Sequence, residues 1–103
     1  METAMNDTGE HMQSHVIMAP ASMLGGPDAL IFNDAIREIS KEYDHLIIDC
    51  SQVAIMNSSG LGMLISAQAT MKQAGGQCSL RQIPEQVKTL LEMTRLNTLF
   101  EIS

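Results

Sequence analysis

Tryptophan is missing from this 103-residue sequence, and one Tyr with two Phe bring the aromatic share to only 3%. The core must therefore be aliphatic. Cysteine is scarce too: Cys50 and Cys78 stand 28 residues apart, with no CxxC and no metal-ligand spacing. With no export signal in view, they read as reduced thiols at strand ends. His11, His15 and His45 form no ligand set with them, so neither a metal nor a cofactor is expected. Basic residues are few, 6 against 12 acidic ones, for a formal net charge of -6. That balance argues against nucleic acid and anionic membrane as partners, since both would be repelled. No basic cluster followed by an apolar run opens the chain, and no stretch approaches the roughly 20 apolar residues that span a bilayer. The expected location is cytoplasmic. Paired carboxylates, a nucleophile beside a histidine and a metal set are all lacking, so the chain does not read as an enzyme.

What is present suits one compact domain. Hydrophobic residues make up 45% and charged residues 17%, a globular balance over a length that supports one core. Nine Met supply adaptable filler. Residues 1–13 are polar and patternless and read as a flexible N-terminus, leaving 14–103 for the domain. Val16 to Ala19 reads as a strand ended by Pro20. Ala21 to Gly26 reads as a loop, and Gly25-Gly26-Pro27-Asp28 as a helix start. Phe32, Ile36, Ile39 and Tyr43 recur at helical spacing, which predicts a helix over about 29–43.

Leu46-Ile47-Ile48 is apolar on both sides and predicts a strand covered on both faces or set in the sheet centre. Val53 and Ile55 alternate on the approach to Asn57-Ser58-Ser59-Gly60, which opens a second helix with Leu61, Leu64, Ile65, Gln68 and Met71 on one face. Ala74-Gly75-Gly76 closes it through a left-handed exit. Gln77 to Ile83 reads as a strand, and Pro84 sits at the first turn of a third helix striped by Val87, Leu90, Leu91 and Thr94. Leu96, Leu99, Phe100 and Ile102 end the chain as a short strand or extended tail. Strand and helix alternate through short connections, which predicts an α/β fold: a small, mostly parallel or mixed sheet with helices packed on it.

The polar quartet before the second helix is the candidate site. Asn and Ser there can accept hydrogen bonds from the first free helix amides, and the same amides and dipole favour an anion. Gly60 and Gly62 would keep its rim thin. On these residues alone Ser58 and Ser59 read equally as plain helix caps.

The segment MNSSGLGML resembles the phosphorylation motif of the STAS domain family, specifically the bacterial anti-sigma factor antagonists. HLIIDCSQV, KQAGGQCSL and PEQVKTLLEMTRLNTLFEI resemble the flanking blocks, so the likeness runs from about His45 to Ile102. It implies a single STAS domain that binds an anti-sigma factor serine kinase and thereby frees a sigma factor. Phosphorylation of Ser58 ends that binding, and a serine phosphatase resets it. Asn57, Ser59, Gly60, Leu61 and Gly62 support the acceptor, with Asp49 as a further supporting residue that could instead pair locally. Asp28 and Met63 are expected on the partner surface, with a core role as the other reading of Met63.

Two departures stand out. Asn57 replaces the family's usual acid before the acceptor, and Ala21–Asp28 replaces a Gly-Glu-Leu-Asp-like segment. They leave open a second reading, an unphosphorylated STAS scaffold in a stress-signalling or lipid-transport complex. A receiver domain with Asp49 as phosphoacceptor lacks its acidic pair after the first strand. An uncovered sheet edge or face leaves room for a homodimer.

Overall fold

The computed structural model describes residues 13–102. The expected flexible segment 1–13 lies outside them except for Gln13, whose carbonyl accepts from the amides of Asp44 and His45 at the sheet margin. His11 lies outside them as well. Among the described residues six strands are interspersed with three helices: β1 (Ser14–Met18), β2 (Ser22–Met23), α1 (Pro27–Ser40), β3 (His45–Asp49), β4 (Ile55–Met56), α2 (Ser58–Gln73), β5 (Gln77–Arg81), α3 (Glu85–Met93) and β6 (Glu101–Ile102), with a 3-10 turn at Leu96–Thr98. The main sheet has the order β1-β3-β5-β6 and every pair in it is parallel.

Local chemistry sets most helix ends. Gly26 occupies the cap of α1 at φ 73° and Pro27 its first turn, followed by Asp28 at the positive end of the dipole. The helix stops at Ser40 rather than running to residue 43, and Tyr43 instead lays its ring against His15, 4.7 Å between centroids. Gly75 provides the left-handed exit of α2 at φ 86°, with its amide on Lys72 O and that of Gly76 on Met71 O. Pro84 caps α3 from outside, and Thr94 is its C-cap rather than part of its inner stripe.

Burial is one-sided. Leu46 and Ile48 of β3 and Cys78 and Leu80 of β5 are sealed beneath the helices with Ile36, Leu64, Met71 and Leu91. Each such aliphatic side chain contributes about 1.5–3 kcal/mol by leaving water. Ile47, between two sealed neighbours, is only half-buried, and Val16 and Met18 beside it on β1 are exposed. Of the two placements expected for β3, the sheet centre is the one found: it is paired on both sides, by β1 and β5, while among the described residues the helices lie on one face alone. Along α2 the buried positions are Gly60, Leu61, Met63, Leu64, Ala67 and Met71, a wider stripe than expected because α2 packs on α1 as well as on the sheet. Met63, expected on the partner surface, is 2% exposed and belongs to this core.

The Ala21–Gly26 segment is not simply a loop. Ser22 and Met23 pair in parallel with Ile55 and Met56, a two-stranded clip apart from the main sheet. It joins the residues leading into α1 to those leading into α2.

Candidate functional site

The clip positions the start of α2. The Asn57 amide donates to the Met23 carbonyl at 3.3 Å, fixing Asn57 in an extended conformation at the helix cap. The Asn57 side chain then accepts from the Gly60 amide at 3.0 Å, and its carbonyl from the Leu61 amide at 3.0 Å. Its side chain thus satisfies one of the helix's leading donors, while its carbonyl accepts the first intrahelical bond. The cap is Asn57, not either serine.

Neither serine hydroxyl is thus used as the cap. Ser58 and Ser59 occupy the first two positions of α2, both exposed. Neither hydroxyl bonds to another described residue, and their amides have no protein acceptor among the described residues. A free hydroxyl beside two free amides at a helix N-terminus can accept a phosphoryl group where the amides and dipole favour its charge.

Gly60 has a different role from the expected thin rim. It is buried, and a β-carbon there would lie 2.0 Å from the Met23 carbonyl oxygen, so glycine is what allows α2 to sit against β2. Gly62 is the open position, with nothing within 4 Å of a β-carbon. Leu61 is buried and anchors the first turn.

The loop before α1 forms the second wall. Gly25 has φ 88°, and a β-carbon there would lie 2.7 Å from that of Ser59. Asp28 follows at the start of α1, exposed on the same pole of the domain. Met23 and Gly25 were not expected at the site. Gly25-Gly26 reads locally as a helix lead-in, and nothing in the sequence says that it touches a segment more than 30 residues on.

Asp49 does not join the serines. Its Oδ1 accepts from the Ser51 amide and its Oδ2 from Arg81 Nε, both at 2.9 Å. Hydrogen bonds from Ser51, then Arg81, hold its pKa down to about 2. It ties the ends of β3 and β5 together, the local pairing that the sequence left open. Burial pushes the thiols of Cys50 and Cys78 up to about 11 and about 12, so both stay protonated and neither is an activated nucleophile. His45 shares a 2.7 Å hydrogen bond with Ser79 Oγ. Among the described residues no three His, Cys, Asp or Glu cluster as a metal site, and no helix is long and apolar enough to cross a membrane.

The fold and site define a parallel α/β domain that presents an uncommitted serine at a helix start. The family description for the STAS domain matches residues 10–103, and the chain belongs to that family. A Thermotoga maritima protein named as an anti-sigma factor antagonist superimposes with a TM-score of 0.71 at 23% identity, over 84% of this chain and 77% of that one. The unphosphorylated form of the Bacillus anti-sigma factor antagonist SpoIIAA superimposes with a TM-score of 0.72 at 14% identity, over 91% and 83% of the two chains. A segment of the murine anion transporter Slc26a9 has the same fold, with a TM-score of 0.65 at 21% identity over 82% of this chain and 14% of the transporter. At these identities the likeness is one of fold.

Proposed function

We propose that this chain is an anti-sigma factor antagonist that works by partner switching, with Ser58 as its phosphoacceptor. The unphosphorylated domain docks on an anti-sigma factor serine kinase and so releases the sigma factor. The kinase transfers the γ-phosphoryl group of ATP to Ser58: an Oγ–P bond forms, the bond to the ADP leaving group breaks, and the hydroxyl proton passes to a base on the kinase. A serine phosphatase hydrolyses the ester and resets the cycle. The chain acts by binding, not catalysis.

One observation carries this reading: Asn57 caps α2, which leaves the Ser58 hydroxyl exposed and without a structural task. Phosphorylation adds about -1.5 to -2 charge there. On a docked surface that dianion must lose water and meet its neighbours' charges. Each 1.4 kcal/mol of such opposition lowers affinity about tenfold.

The test is incubation with ATP and an anti-sigma factor serine kinase that binds the chain, read by intact mass. Wild type and Ser59→Ala gain one phosphoryl group and then lose the kinase in pull-down, whereas Ser58→Ala gains none and stays bound. A Ser58→Ala protein that still gains the group removes Ser58 from the role.

Asn57, where the family motif carries an acid, favours a second reading as an unphosphorylated STAS scaffold in a stress-signalling or lipid-transport assembly. In that case no variant gains mass, and Ser58→Asp binds its partners as wild type does.

A further inference from the structure

β1 and β6 form the two edges of the main sheet, and they are built differently. β6 is two residues long and carries Glu101, a short and charged edge of the guarded kind. β1 runs for five residues in unbroken register with β3 and contains no acid, no Lys or Arg, no proline and no bulge. Its outer backbone groups have no strand partner among the described residues. Val16 and Met18 stand 41% and 46% exposed on the uncovered sheet face. On the helix side the edge continues into a groove of about 360 Å³ between β1 and α1, lined by Ile17, Met18, Pro20, Ile31, Phe32 and Ala35, with the Asp28 carboxylate at its α1 end. Leu30 and Ile31 on that helix are 68% and 69% exposed.

We propose that the β1 edge is the interface of a homodimer, in which two copies of β1 pair antiparallel about a two-fold axis at Val16. The two main sheets become one. Val16 faces the partner subunit's Val16, Ser14 faces the partner subunit's Met18, and His15 faces the partner subunit's Ile17. Pairing satisfies the outer backbone groups and covers the exposed apolar side chains along the strip.

Charge selects a second copy as the occupant. Each chain carries -6, so two copies repel over most approaches, yet Ser14–Met18 holds no carboxylate to set against another. The connection from β1 to its parallel neighbour β3 makes α1 run antiparallel to β1. The two-fold axis therefore sets the two α1 helices antiparallel. The end bearing Asp28 then lies toward the partner's end bearing Arg37 and Lys41, and the helix dipoles oppose favourably. Arg37 and Lys41 hold only exposed pairs with Asp34 and Glu38, which are free to exchange. The β1 strip includes no residue of β2, β4 or α2, so β1 variants test the dimer apart from the role of Ser58, although Asp28 borders both surfaces.

Sedimentation equilibrium of the full chain over a micromolar-to-millimolar range tests this, with far-UV circular dichroism and melting as folding controls. Wild type dimerises. Val16→Lys or Val16→Glu sets like charges opposite each other and weakens the dimer at least about tenfold, and an equimolar mixture of the two recovers a dimer. Amide exchange of wild type gives a reading that needs no variant: β1 amides are protected at high concentration and lose protection on dilution. The proposal is overturned by a wild type that stays monomeric, by a dimer indifferent to Val16→Lys, or by a mixture no tighter than either variant alone. Concentration-independent protection of β1 that disappears when residues 1–12 are removed would also overturn it, giving the edge to this chain's own N-terminal segment.

Discussion

Gly60 and Met23 are in such close apposition that a β-carbon on the first would lie 2.0 Å from the carbonyl oxygen of the second. The same carbonyl receives the Asn57 amide. The start of α2 is thus held against backbone, which cannot turn aside as a flexible side chain would. Gly60→Ala is expected to destabilise the fold by at least about 1–3 kcal/mol through overpacking. Gly62→Ala, with open space around the new methyl, is expected to stabilise it by about 0.5–1 kcal/mol through the helix preference of alanine over glycine. Urea titration of the pair checks both signs, and equal effects would refute the close approach.

The cap separates stability from signalling at neighbouring positions. Asn57→Ala removes the acceptor for the Gly60 amide and is expected to cost about 0.5–2 kcal/mol. Ser58→Ala and Ser59→Ala remove hydroxyls that have no partner among the described residues and are expected to stay within about 0.5 kcal/mol of wild type. Thermal melts of the three variants measure the contrast.

Asn57→Asp tests what the missing acid does. Asp caps as well as Asn, so folding stability is expected to change little. On this exposed surface a carboxylate beside a phosphoserine would repel it by at least about 1 kcal/mol, the value for unit charges about 4 Å apart in water. Dephosphorylation of the Asn57→Asp variant by a serine phosphatase is expected to be faster than that of wild type. The same or a slower rate would show that Asn57 does not help to hold the phosphorylated state.

Acid stability should report the Asp49 pair. Its folded pKa, about 2, lies below the ordinary 3.8 because Ser51 and Arg81 favour the carboxylate. The stabilisation is thus complete above about pH 4 and is lost as pH falls through about 2. Asp49→Asn removes a titrating group, so the difference in stability between wild type and variant is expected to shrink across that window. Melting temperatures taken from pH 7 down to 2 would show it, and a constant difference would contradict the assignment.

Much of the architecture could be read from local pattern. Pro27-Asp28, the Gly75 exit and the stripe of Val87 and Leu91 announce helices because capping and helical periodicity act within about four residues. The alternation of strand and helix implied the parallel sheet for the same reason. At the site, Asn57-Ser58-Ser59-Gly60 was legible as a helix start, but not which member caps it, since Asn and Ser both accept from a leading amide. The choice rests with the Met23 carbonyl, 34 residues earlier in the chain, which holds Asn57 extended.

Residue order alone was enough for the helix starts, the parallel alternation and the presence of a serine where α2 begins. It was silent on the β2–β4 clip, since strands of two residues carry no periodicity. It also left the surroundings of Met63 and Ile47 undecided: the first is sealed in the core, and the second lies in the sheet centre on an uncovered face. Those outcomes depend on which distant segment comes to rest on each side chain. Contacts of that kind are set when α1, α2 and the sheet pack together, by shapes and distances that no short stretch of chain contains.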